Sequence, residues 1–298
     1  MIAGVFLAIS ACMLFGLLSY YSTLLPPMDA YGIWSWRVLA TLVLVAVVIS
    51  VQGRWRLFAR EMTDILRVPG YIAATLFAGL MMGFQLGLFG WAPLHGVSQD
   101  VAMGYFLMPL VMVLAGRFLF NEKLSLVRTL AVACAAFGVG AELIRSGGFS
   151  WVSLVIMLGM PLYFIVKDKL QTSPLSMLMA EQIVVLPVAF AILIAQDWTP
   201  DYFAAEGAMA WLMILGLGLI SGGSLLFYIA ASKKLPYALF GMLGYVEPLL
   251  IFVVSLVLGE AFTAQDLWTY IPIWIAILFL LADGWLHLRN HKRAPAAA

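Results

Sequence analysis

Apolar residues run through this chain in long blocks rather than alternating with polar ones. Ten windows stand out, at about 2–22, 33–52, 70–92, 100–120, 126–144, 149–166, 176–196, 209–231, 237–258 and 267–288. A helix crosses a bilayer with about 20 mostly apolar residues, and each window approaches or exceeds that length. Gly, Pro and charged residues punctuate short gaps, which leave no room for a soluble domain. The pattern predicts an all-α integral membrane protein with ten transmembrane helices. The first window starts at Ile2 with no basic leader and is too long for a signal-peptide core, so it is expected to be a retained span. The longest connection, residues 53–69, places Trp55, Phe58, Met62 and Ile65 at helical spacing among Arg54, Arg56, Arg60 and Arg67. That spacing predicts a short helix lying on the membrane surface, with a solvated loop as the alternative.

The windows also repeat. GYFLMPLVMVLAGRFLFNE, from Gly104 to Glu122, is echoed by GYVEPLLIFVVSLVLGE, from Gly244 to Glu260. Pro109 and Pro248 are separated by nearly the same interval as the two glutamates, close to half the chain. Such a period predicts two copies of one unit: residues 1–145, residues 146–290, and a short tail at 291–298. Five spans per copy is an odd number, so the second copy enters the membrane from the opposite side. Two inverted five-helix repeats with a site near the midplane are a recurring plan of secondary transporters. A wet chamber at mid-depth between the copies is the expectation.

Composition changes the picture only by excluding other classes. Of 298 residues, 64% are hydrophobic and 10% charged, against roughly 25% charged in soluble domains. The bilayer must be the solvent. A net charge of +1 with few, scattered basic residues gives no hint of a nucleic-acid partner, and none is expected. Cys12 and Cys134 both sit inside apolar runs and are expected as core residues, with no disulfide, metal site or cofactor. If the N-terminus is cytoplasmic, all of the 16 Lys and Arg except Arg37 and Arg145 fall on the inner side. The outer connections then carry Asp29, Asp197, Asp201, Glu206 and Asp266. Both termini are therefore expected on the cytoplasmic side.

Ionisable groups inside a span cost about 2.5–3.5 kcal/mol each on insertion scales, so each needs a reason. Glu247 falls some ten residues into the ninth window and is a candidate for substrate binding and for proton coupling. The alternative is a neutral, hydrogen-bonded acid beside Pro248. Arg37, near the outer end of the second window, is suited to hold a substrate carboxylate or phosphate, or else reaches the interface. Glu181, near the inner end of the seventh, is a candidate gate; Arg37 and Glu181 are expected to serve opposite mouths rather than to pair. Tyr105, Tyr245, Phe84, Gln85, Trp91 and Tyr228 are candidates to line a site for a small organic substrate, against ordinary packing or lipid-facing roles. Pro109 and Pro248 are candidate bend points in the two echoed helices. Glu122 and Glu260 are expected to cap or orient hairpins at the inner and outer surface.

No GxxxxGK[ST] loop is present, so transport would draw on a proton or substrate gradient. A membrane enzyme is disfavoured, because His95, His287 and His291 lie outside the deep spans and no aspartate pair is buried in one. A non-transporting scaffold or sensor is the other alternative, and it leaves buried Glu247 without a purpose.

These residues bring a family into view. Trp36-Arg37-Val38, Gly104-Tyr105-Phe106 with Pro109-Leu110, Glu181 with Leu186-Pro187, and Gly259-Glu260 stand in an order and spacing that resembles the drug/metabolite transporter superfamily with two EamA-type repeats. The likeness covers nearly the whole chain and is strongest to the RarD, or chloramphenicol-sensitive, branch. It implies a ten-helix inner-membrane carrier of small organic metabolites or drugs, amino-acid-like or phenicol-like, acting by alternating access and in the export direction. Met108 departs from the polar amide expected before the proline, and Asn121-Glu122 from the more usual Gly-Glu. Glu247 is not part of the likeness; its role rests on depth alone.

Overall fold

The computed structural model describes residues 2–25, 28–119, 125–146, 149–196, 207–235, 240 and 243–293. In chain order its helices are α1 Ile2–Ser22, α2 Ala30–Val51, α3 Trp55–Leu66, α4 Pro69–Leu94, α5 Ser98–Leu119 and α6 Leu126–Ser146. Then come α7 Trp151–Asp168, α8 Pro174–Ala195, α9 Ala208–Ser232, α10 Val246–Val257 and α11 Leu267–Arg293. No strand lies among the described residues. Ten helices fall on the ten apolar windows, and α3 forms from the arginine-rich connection. Seven of them (α1, α2, α4, α5, α6, α8 and α9) are long and apolar enough to cross a bilayer, while α7, α10 and α11 carry shorter apolar stretches. Glu122, Asn121, Lys123, Asp197, Asp201 and Glu206 lie outside the described residues.

Capping moves two helix starts ahead of the apolar windows. Asp29 caps α2 by accepting the Gly32 N–H at 2.8 Å. Ser173 caps α8, with Pro174 in the first turn, where its missing N–H is no loss. Arg37 and Glu181 thereby each become the eighth residue of their helix. They lie about 10 Å along the axis, deeper than the windows alone suggest.

The ninth window is corrected more sharply. Among its described residues Phe240, Leu243 and Gly244 are helical, a turn stands at Tyr245, and the helix Val246–Val257 follows. Pro248 has no N–H to offer the Gly244 carbonyl, so the hydrogen-bond ladder is interrupted there. Glu247 therefore stands in the first turn of α10 and not ten residues into a continuous helix.

Helices from the two ends of the chain interlock. Helix α1 packs on α9 and α10, α2 on α8 and α9, α4 on α7 and α8, α5 on α7 and α10, and α6 on α11. Small residues make the closest approaches. A Cβ on Gly104 of α5 would stand 2.7 Å from the Ile156 Cβ of α7, and one on Gly79 of α4 2.7 Å from the Val184 Cβ of α8. Without a hydrophobic drive between helices in lipid, such contact is the main source of association.

Polar contacts fasten the helix ends. Glu260 accepts the N–H groups of Ser98 at 2.7 Å and Gln99 at 2.9 Å. It caps α5, a distant helix, rather than its own hairpin. Glu61 of α3 takes the Ser173 N–H and hydroxyl, each at 2.9 Å, at the start of α8. Arg128 of α6 pairs with Asp283 of α11 at 2.8 Å, and Arg145 with Glu142 and Asp266 at 2.8 and 2.9 Å.

Candidate functional site

Arg37 is 2% exposed and surrounded by three helices. Its Nε donates to the Ser221 hydroxyl of α9 at 3.2 Å, and its Nη1 to the Leu86 carbonyl of α4 at 2.9 Å. Its Nη2 is buried and has no hydrogen-bond partner among the described residues. Both partners are neutral. A guanidinium keeps its charge even in an apolar interior, and an unpaired buried charge there costs several kcal/mol. The arrangement leaves one arm of the fork unpaired.

Beside it runs a chain of aromatic rings from α5 to Phe240, ahead of α10. Tyr105 contacts Phe89 of α4, with ring centroids 6.3 Å apart, and Phe89 contacts Phe15 of α1 at 6.0 Å. Phe15 contacts Tyr228 of α9 at 6.5 Å, and Tyr228 contacts Phe240 at 4.6 Å. Tyr105 lies within electrostatic reach of Glu247, Arg37 and Tyr228. Tyr228 is similarly placed toward Glu247 and Cys12. Cys12, a buried free thiol, donates to the Leu243 carbonyl just before α10 at 3.6 Å. The structure thus gathers Arg37, Tyr105, Tyr228 and Glu247 into one neighbourhood drawn from α2, α5, α9 and α10.

Glu181 has partners of its own. It is 1% exposed, accepts the Tyr163 hydroxyl of α7 at 2.6 Å and lies 3.5 Å from Lys167 Nζ. Lys167 also donates to the Tyr163 hydroxyl. This triad joins α7 to α8, and Lys167 remains partly open to the surroundings.

Other sequence candidates are held elsewhere. Phe84 is 51% exposed. The buried face of α4 carries Gly79, Gly83, Leu88, Phe89 and Ala92, and Phe84 points off it toward the surroundings, so the expectation that it lines a site is corrected. Gln85 is buried, but its Nε2 donates to the Val155 carbonyl of α7 at 2.9 Å, and its Oε1 has no partner. Trp91 stacks on His95 at 4.0 Å and lies 5.8 Å from Trp151, near the end of α4. The Tyr245 hydroxyl is buried without a partner at the α10 interruption. Pro109 is half-buried inside α5.

The expected wet chamber has no counterpart among the described residues. The small concavity lined by Ser19, Phe89, Ala92, Pro93, Ser98, Val101 and Ile251 has no room for a water molecule.

Phe15, Phe89, Tyr163, Lys167 and Ser221 escaped the sequence reading. Phe89 was within reach of it, since it stands one helical turn from Gln85 on the same face. Phe15 and Ser221 carried no signal, because rings and hydroxyls are common in apolar helices. Lys167 and Glu181 looked unrelated until α7 and α8 were packed together.

Comparison with known proteins gives full-length matches. The chain is 39% identical to the chloramphenicol-sensitive protein RarD of Pseudomonas aeruginosa, over 97% of each. It is 36% identical to an uncharacterized transporter of Pasteurella multocida, over 98% of this chain and 100% of that one. A further uncharacterized transporter, from Haemophilus influenzae, is 34% identical over 95% of each. No family model matches the chain. A solved crystal structure superposes with a TM-score of 0.56, at 16% identity over 95% of this chain and 98% of that one, a likeness of fold alone.

Proposed function

Because this chain belongs to the RarD family of EamA-type drug/metabolite transporters, we propose that it carries a small organic compound bearing an anionic group across the bacterial inner membrane. It is a multi-pass membrane protein with transporter relatives at full length. In our reading it works by alternating access and in the export direction, with both termini in the cytoplasm. The substrate is an amino-acid-like or phenicol-like compound, its acidic or polar head on Arg37 and its apolar part among Tyr105, Phe89 and Tyr228.

The observation that carries the reading is the buried guanidinium with an unpaired Nη2. The packing supports the two-repeat part. Exchanging α1, α2, α4, α5 and α6 for α7, α8, α9, α10 and α11 turns the α1–α9 contact into α7–α4. The same exchange turns α2–α9 into α8–α4 and α5–α7 into α10–α1, and returns α2–α8, α5–α10 and α6–α11 to themselves. That pattern fits two inverted units, residues 1–145 and 146–290, related by a two-fold axis in the membrane plane. Arg37 and Glu181, at matching positions of α2 and α8, then serve opposite mouths. Glu247 supplies the proton-coupling group, and the interruption at Pro248 lets α10 bend.

The test is Arg37→Lys. A lysine keeps the charge and loses the planar fork. Binding of carboxylate- or phosphate-bearing ligands, read by thermal shift of the purified protein, should weaken by about 10-fold or more, the scale of a charged hydrogen bond. Neutral ligands should change little. Equal loss for both kinds would make Arg37 a folding residue and remove the anion site.

A further inference from the structure

Helix α3 joins α2 to α4, both long and apolar enough to cross the bilayer, so it lies at a membrane surface whichever way the chain is threaded. One side of it is fastened. Ile65 is buried, Phe58 and Met62 are half-buried, and the helix leans on α4 and α8. Glu61 grips Ser173 at the start of α8, and the Trp55 indole donates to the Ser50 hydroxyl at 2.9 Å. The opposite side is thereby presented in a fixed orientation. At 100° per residue, Arg56, Arg60 and Arg67 project within about 40° of one another, opposite Ile65. All three are exposed. Asp64 stands 3.8 Å from Arg67, but both side chains are largely open to solvent, where such pairs are weak. Exposed Trp55, Leu57 and Leu66 flank this face.

We propose that the Arg56–Arg60–Arg67 face of α3 is a docking surface for anionic phospholipid headgroups. Guanidinium forks match phosphate oxygens in pairs, and three at helical spacing present a row of them. The flanking Trp55 and leucines suit the boundary between headgroups and acyl chains, a contact that free phosphate cannot offer. Each basic side chain near an anionic leaflet strengthens binding by about five-fold. The lipid, by holding α3, also holds Glu61 against the start of α8. The proposal needs the chain to span a bilayer but does not need it to transport anything.

The full-length protein in phosphatidylcholine nanodiscs is titrated with phosphatidylglycerol, and bound lipid is counted by native mass spectrometry. Replacing Arg56, Arg60 and Arg67 together by Gln should weaken phosphatidylglycerol retention by on the order of 100-fold. Replacing them by Lys should keep it within several-fold of wild type. Added phosphatidylcholine or inorganic phosphate should not occupy the face. Wild-type retention in the Gln variant, equal binding of the two lipids, or equal binding of inorganic phosphate would each overturn the proposal. If the triple Gln variant does not melt cooperatively in phosphatidylcholine alone, Arg60→Gln is read instead. A roughly five-fold loss there supports the site, and unchanged retention overturns it.

Discussion

A guanidinium whose only partners among the described residues are a serine hydroxyl and a backbone carbonyl is an incomplete arrangement in lipid. Arg37 stood out in the sequence because a lone arginine in an apolar window has few reasons to be there. Its neighbours did not stand out. Phe89 and Phe15 are two rings among 19 phenylalanines, and only packing shows that they touch. Glu247 was legible as an acid inside an apolar run, yet its place beside Cys12 and within reach of Tyr105 and Tyr228 needed α1, α5 and α9. If Glu247 couples protons, Glu247→Gln should abolish uptake driven by a proton gradient in reconstituted vesicles while ligand binding stays measurable. Normal accumulation by that variant would remove Glu247 from the coupling role.

Among the helices, ends proved harder to read than middles. Apolar windows located ten of them, since length and composition are local properties. Caps such as Asp29 and Ser173 lie outside any apolar count, and α10 broke where a proline withholds one hydrogen bond. Glu260 shows what a helix end can do at a distance. Its carboxylate meets two free N–H groups and the positive end of the α5 dipole. Glu260→Ala should cost about 1–2 kcal/mol, the scale of a lost cap, visible as a lower melting temperature in detergent. Glu260→Gln should recover part of it. A melting temperature unchanged by the alanine would mean that the cap contributes nothing to stability.

The assembled bundle adds a chain of rings and a set of close helix contacts. The rings from Tyr105 to Phe240 stand beside Arg37 and Glu247, so on the proposed function a substrate would have to part them. A Cβ on Gly16 of α1 would stand 2.9 Å from the Leu250 Cβ of α10. In a background without Cys12 and Cys134, the pair Gly16→Cys and Leu250→Cys should form a disulfide on mild oxidation, once the two helices ease apart to the roughly 3.5–4.5 Å that the bridge spans between Cβ atoms. If the proposed alternating access moves that contact, transport should then stop and return on reduction. A locked pair that still transports would place the moving interface elsewhere.

Long apolar runs and the place of the charges were enough to identify a many-span helical membrane protein, the helix α3 between two spans and the buried Arg37 and Glu181. Those features are read residue by residue along the chain, and lipid enforces them strongly. Which ring meets which, which carboxylate caps α5 or α8, and which arm of Arg37 stays unpaired were settled by packing. Such contacts join residues far apart in sequence, and their energies depend on distances of an ångström or less.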